Sequence, residues 1–320
     1  VTTTDGYATG AAMWAAVTSR AKVTAKDTGV DGAALVRRFV FGRFLARVFH
    51  TTPPARGCFK GGTAMLARVH DARTTNDVDL LHELADLDAA VQALRAVAAT
   101  DLGDHFRFVV TKVERSLGGA GQPGVAGCRV NFDAYVGVAK KQSFGVDLVT
   151  GSLMTTTPEI RTDLVLDVRG IEAPALRLYP VVDHIADKLC ATMGTYGARG
   201  AASSSRPRDL VDLVVFARSQ DVDGSALITA IHGEWTHRGL PGAPVFEPPA
   251  DWERRYPPEA RNAPVVAGFT TFADAAALVG GFLAPALDGT AAGQHWIAAD
   301  LAWRQSAEAS LTSVAPSLQE

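Results

Sequence analysis

A chain of 320 residues can bury one large apolar core or two smaller ones, and two domains is the expectation. With 47% hydrophobic and 20% charged residues it is composed like an ordinary soluble globular protein, and its net charge of −3 leaves only a local basic patch for engaging nucleic acid. No apolar run reaches 18 residues and the first 30 lack a signal peptide's charged start and apolar core, so the chain is expected to be cytoplasmic, away from membranes.

Residues 1–30 are rich in Thr, Ala and Gly, and a helix is expected over 11–25. Over residues 32–50, Leu35, Phe39, Phe41, Phe44, Leu45 and Val48 recur mostly at three- and four-residue intervals. That spacing predicts an amphipathic helix, stopped by Thr51-Thr52-Pro53-Pro54. Its aromatic stripe reads as core. Its arginines, Arg37, Arg38, Arg43 and Arg47, read as a solvated face, with contact to a substrate phosphate as the alternative. Cys58, Cys128 and Cys190 are odd in number and lack metal-type spacing, which predicts buried thiols in a reducing compartment.

Residues 57–81 combine three signals in a fixed order. Gly61-Gly62-Thr63 offers two residues free to take positive φ and then a hydroxyl. Residues 64–69 contain no Gly or Pro and can form a short helix, whose N-terminal N–H groups and dipole favour an anion. Asp77-Val78-Asp79, followed by Leu80 and Leu81, has the pattern of a strand. On a strand Asp77 and Asp79 project together while Val78 and Leu80 enter the core. Two adjacent carboxylates repel unless a cation stands between them, and Mg²⁺ is commonly held by one or two carboxylates together with substrate phosphates. Asp-x-Asp alone means little, since Asp86/Asp88 and Asp221/Asp223 repeat it. The order of all three parts points to phosphoryl or nucleotidyl transfer.

A helix is expected over residues 87–99, strands over 106–113, 129–138 and 142–149, and a Gly-rich loop over 118–127. Asp147 sits among Phe144, Val146 and Leu148; such a carboxylate is costly unless paired or metal-bound, or else it faces solvent. Residues 150–174 read as a connector with one strand at 164–168.

Residues 181–193 predict a helix after Pro180, with Lys188 inside its apolar pattern. Lys188 either lies along the helix with its ammonium in water or reaches a phosphate as a point charge. A Gly-, Ser- and Arg-rich loop follows over 194–207, carrying Arg199 and Arg206 just ahead of Arg208; this second basic cluster also reads as a solvated face. A helix from Asp209 comes next, where Asp209 serves either as a cap or in the site. Helices are expected over 224–232, 272–287 and 293–310, around a Pro-rich segment at 239–264. Trp235, Trp252, Tyr256 and Trp296 read as packing residues, with base stacking as the alternative.

Lys60-Gly61-Gly62-Thr63-Ala64, with the run from Arg73 to Leu80 after it, resembles the first motif of DNA polymerase β-type nucleotidyltransferases. More narrowly it resembles the AbiEii/AbiGii toxin family, which includes the MenT toxins of mycobacteria. Asp187-Lys188-Leu189, then a basic loop, then Arg208-Asp209-Leu210 and Asp212-Leu213, is similar to the later motifs of that family. The resemblance spans residues 30–217 and is strongest at 57–81, 181–193 and 206–216. It implies an α/β (α+β) fold: an N-terminal extension over 1–30, a polymerase β-like nucleotidyltransferase core on a mixed sheet over 31–175, and a mostly helical C-terminal domain over 176–320.

It also implies roles. Asp77, Asp79 and Asp147 would hold Mg²⁺, with Asp147 acting on the acceptor hydroxyl. Gly61, Gly62, Thr63, Arg73, Lys188 and Asp212 would bind the nucleoside triphosphate, and Asp209 would complete the catalytic set. The implied activity is transfer of a nucleotide, CTP being typical, to the tRNA 3′ end, with a cognate antitoxin as partner. Two other classes stand beside it: a nucleotidyltransferase acting on a protein side chain or small molecule, and a non-catalytic nucleotide-binding module.

Overall fold

The structure is a computed structural model that describes residues 6–50, 57–60, 64, 77–82, 86–115, 126–162, 165–195 and 203–305. Two helices open it. Thr9 caps α1 (Gly10–Thr28) by accepting from Ala12 N, and Gly29 ends it at a φ of 74°, a conformation that suits glycine. Asp31 then caps α2 (Gly32–Phe49) through Ala34 N. The stripe of α2 lies on the sheet: the Phe44 ring meets those of Phe108, Phe132 and Phe144 at centroid distances of 5.4, 4.9 and 5.3 Å.

Over the described residues the sheet has seven strands in the order β3-β4-β5-β2-β1-β7-β6. They are β1 (Gly57–Phe59), β2 (Val78–His82), β3 (Phe106–Glu114), β4 (Ala126–Val136), β5 (Ala139–Thr150), β6 (Glu159–Thr162) and β7 (Ala175–Leu178). It is mixed: β2 runs parallel to β5 and β1 parallel to β7, while the other neighbours are antiparallel. Helix α3 (Leu87–Ala98), capped by Asp86, covers the same core. The Asp-x-Asp repeats at 86/88 and 221/223 serve local structure: Asp86 and Asp223 are caps, and Asp221 accepts from Ala298 N.

A second apolar cluster is built from α4 (Val181–Met193), α5 (Pro207–Ser219), α6 (Gly224–His237), α7 (Trp252–Ala260) and α8 (Phe272–Leu287). A small antiparallel sheet, β10-β9-β8, closes it, with β8 (Val222–Asp223), β9 (Gln294–Ile297) and β10 (Ala302–Gln305). The rings expected to pack do so: Trp252 Nε1 donates to Ser204 O at 2.9 Å, Tyr256 Oη to Phe269 O at 2.8 Å and Trp296 Nε1 to Ala217 O at 2.7 Å, whereas Trp235 Nε1 is buried without a hydrogen-bond partner among the described residues.

Four expectations are corrected. Residues 165–168 form no strand; Leu166 and Val168 fill the core while pairing falls to β6 and β7 on either side. The segment after Gly293 is a hairpin over its described residues rather than a helix, with Trp296 opposite Trp303 in the β9–β10 register. The Pro-rich segment holds α7, because Trp252, Tyr256 and Ala260 at four-residue spacing all turn inward and Pro257 and Pro258 fall only in its second half. Arg43 and Arg47 are neither solvated nor aimed at a ligand. Both are buried against Asp104, with Arg43 Nε at 2.8 Å from its carboxylate and Arg47 Nη2 at 2.7 Å. The three cysteines are buried and form no disulfide among the described residues.

Candidate active site

The parallel pairing of β2 and β5 places Asp79 directly beside Asp147. Asp77 lies just before β2, two residues from Asp79, so all three carboxylates belong to one face. Val78 and Leu80 turn the other way into the core. Cys58, Leu81 and Tyr179 form a small apolar cluster of their own. The carboxylates are half-buried rather than sealed, with side-chain exposures of 34% for Asp77 and 24% for Asp147.

Arg129 of β4 stands in register with Asp147 from the other side. Its guanidinium donates to Asp77 and, through Nη1, to both oxygens of Asp147 at 3.2 and 3.4 Å. Burial raises the Asp147 carboxyl above its ordinary range; Arg129 opposes that rise and the charge on Asp77 adds to it. The donor set is all oxygen and anionic, which is what a hard divalent cation takes, and a side-chain cation already stands among those oxygens. Among the described residues no three His, Cys, Asp or Glu side chains converge on one point as they stand. The residues fit a divalent cation, with Arg129 in the position such an ion would contest.

Lys60 joins this face to the helical cluster. Its backbone N–H donates to Asp79 O at 3.0 Å, and its Nζ donates to Ser152 Oγ at 3.0 Å and Asp187 Oδ1 at 2.9 Å. Asp187 belongs to α4, a helix in which every residue from Val182 to Thr192 is buried. Such a helix can carry charge only if the charge is paired. Asp183 accepts from the N–H and Oγ1 of Thr155, at 2.9 and 2.7 Å. Asp187 pairs with Lys60 and with Arg238, the residue that ends α6, which also pairs with Glu234. Burial pushes the Asp187 carboxyl up, but Lys60 and Arg238 outweigh it and hold the group ionised.

Lys188 lies 2.9 Å from Asp209 and 2.8 Å from Asp212, both on α5, and its side chain is 5% exposed. The reading with its ammonium in water is therefore wrong. Asp209 does not cap α5; it bridges Lys188 and Arg206. Arg206, Arg208, Arg254 and Arg255 line a cleft of about 710 Å³ whose walls include Asp209.

The structure thus brings together Asp77, Asp79 and Asp147 on one face, and Lys188, Asp209 and Asp212 in one buried cluster. Gly61, Gly62, Thr63 and Arg73 lie outside the described residues. Arg129, Asp187, Glu234 and Arg238 were not given roles from sequence. Arg129 reads there as an ordinary strand residue, because its partners are 18 and 52 positions away. Asp187 and Lys188 did leave a signal: two charges within the apolar pattern of one helix.

Comparison with known proteins supplies the rest. The family profile described as Nucleotidyl transferase AbiEii toxin, Type IV TA system, matches residues 43–282. No curated protein matches the chain. Among solved structures, the chain is similar to MenT4, a nucleotidyltransferase toxin of Mycobacterium tuberculosis H37Rv, at 16% identity and a TM-score of 0.47, covering 87% of this chain and 97% of that one. It is similar to JHP933 from Helicobacter pylori at 13% identity and a TM-score of 0.39, covering 82% of this chain and 97% of the other. With three quarters of its length inside the family profile, the chain belongs to the AbiEii nucleotidyltransferase toxins of type IV toxin–antitoxin systems, and it is a nucleotidyltransferase.

Proposed function

We propose that this chain transfers a nucleoside monophosphate from a nucleoside triphosphate, CTP being favoured, to the 3′ end of tRNA, and thereby blocks translation in the cytoplasm until a cognate antitoxin restrains it. The observation that carries the reading is the pairing of Asp79 with Asp147 on adjacent parallel strands, with Asp77 on the same face. Asp77, Asp79 and Asp147 would hold Mg²⁺, which would supply positive charge to align the triphosphate and offset charge on the pyrophosphate leaving group.

The chain's own residues account for the remaining parts. Gly61, Gly62, Thr63 and Arg73, which lie outside the described residues, would bind the triphosphate, the role that the family motif implies for them. Asp147, whose carboxyl is raised by burial and by Asp77, accepts the proton of the attacking hydroxyl. Lys188 is held by Asp209 and Asp212, and on nucleotide entry it shares its charge with the phosphates. The arginine-lined cleft beside Asp209 suits a phosphate backbone, which favours an RNA acceptor over a small molecule. In the described residues no helix is long and apolar enough to cross a membrane.

Purified protein is incubated with Mg²⁺, total tRNA and each α-³²P-labelled nucleoside triphosphate in turn, with Asp79→Ala in parallel. Label entering tRNA from CTP, and abolished in Asp79→Ala, is the expected result. Label appearing on protein instead, or on nothing, overturns the tRNA reading.

A further inference from the structure

Arg129 spans two of the three carboxylates that would hold the cation, and Gly145 makes room for it. Gly145 lies on β5, two residues before Asp147 and on the same face. A Cβ placed there would come within 2.5 Å of both Nε and Nη2 of Arg129 and 2.6 Å of Cζ. The guanidinium therefore rests on a position with no side chain, reaching across β5 to Asp77 beyond it. Because that neighbour is the end of a flexible side chain, a methyl at Gly145 would push the guanidinium off its seat without disturbing the strand.

We propose that Arg129 is a positioning residue that exchanges with the divalent cation. In the metal-free chain its guanidinium neutralises Asp77 and Asp147; as the cation takes those oxygens the guanidinium leaves them and turns to the incoming nucleotide's phosphates. This rests on the metal-dependent reading above. The exchange has a clear purpose: it keeps like charges apart when no nucleotide is present, and it couples metal loading to arrival of an anion able to receive the displaced arginine.

Exchange makes a quantitative demand. A ligand whose site is open only a fraction of the time binds more weakly by that fraction. Hydrogen bonds to charged groups of this kind favour the closed state by roughly ten- to a hundredfold. Removing the competitor should therefore tighten metal binding, whereas loss of a merely structural residue would weaken it.

The test is Mn²⁺ affinity of the full chain, without nucleotide, followed by electron paramagnetic resonance of the free ion for wild type, Arg129→Gln and Gly145→Ala. Arg129→Gln should bind Mn²⁺ roughly tenfold more tightly than wild type, and Gly145→Ala should shift the same way with the arginine still present. Mn²⁺ should also raise the melting temperature of Arg129→Gln by more than that of wild type. Unchanged or weaker binding in both variants overturns the exchange and leaves the metal site standing. Absence of Mn²⁺ binding in wild type and both variants overturns the metal-dependent reading itself, and the exchange with it.

Discussion

Burial pushes the carboxyl of Asp104 up, yet the guanidiniums of Arg47 and Arg43 outweigh it and hold the group below the ordinary aspartate range. The same side chain also accepts from Phe106 N at 3.0 Å, so one carboxylate fixes α2 against the start of β3. Asp104→Asn would leave two buried guanidiniums without a counter-charge and should lower stability by about 3–5 kcal/mol at neutral pH, read from urea unfolding. The sign with pH follows from the lowered value. The carboxylate's contribution is fully present above the unfolded-state pKa and is lost as pH falls through the folded one. The gap between wild type and Asp104→Asn should therefore close in acid; a gap that stays constant down through the carboxylate range would show that the charge of Asp104 is not what matters.

Helices and strands of this chain meet through a few close backbone approaches. Gly224 opens α6, and a Cβ there would run into the carbonyl of Ala291, in the segment leading to β9. That neighbour is backbone and cannot swing aside. Gly224→Ala should thus destabilise the helical cluster by about 3 kcal/mol, while Gly280→Ala, on the open side of α8, should cost nothing measurable; equal unfolding midpoints for the two variants would refute the contact. Much at this scale can be read from sequence: α1, α2, α3, α4, α5 and α8 have caps or periodic apolar faces that act within one element. The misreadings share a cause. Leu166 and Val168 have strand composition, but strand identity depends on a partner, and β7 took β1 as its neighbour. The 294–305 hairpin has helix-forming alanines, yet Trp296 and Trp303 gain more by packing with Phe282.

Across the molecule the apolar core falls into two large clusters, one against the seven-stranded sheet and one among α4 to α8. Trp14 packs with the first, whereas Trp252, Trp296 and Trp303 belong to the second and Trp235 sits on α6 among its helices. Chemical denaturation followed by tryptophan fluorescence should therefore report mainly the helical cluster, and far-ultraviolet ellipticity both. We expect the two curves not to coincide; superimposable curves would mean the two clusters unfold as one. The candidate site divides along a similar line. Asp77 and Asp79 were legible because their chemistry is written in one short stretch; Asp147 was so only through the family resemblance, since its apolar neighbours alone fit a solvent-facing strand residue as well. Arg129 and Arg238 were not, since their meaning depends on strand register and helix packing that bring distant positions together.

Lys60, Asp187, Arg238 and Glu234 form a set of two cations and two anions, and Lys188, Asp209, Asp212 and Arg206 form another. Each set sums to zero, and Asp187 and Lys188 are consecutive residues, so the two meet at one peptide bond. Arg206 reaches solvent, but a lone change of charge elsewhere in either set leaves a buried partner uncompensated. Inherited variation there should consequently arrive as matched replacements, one sign traded against the other, and the order of mutations open to a lineage is constrained by electroneutrality as much as by shape.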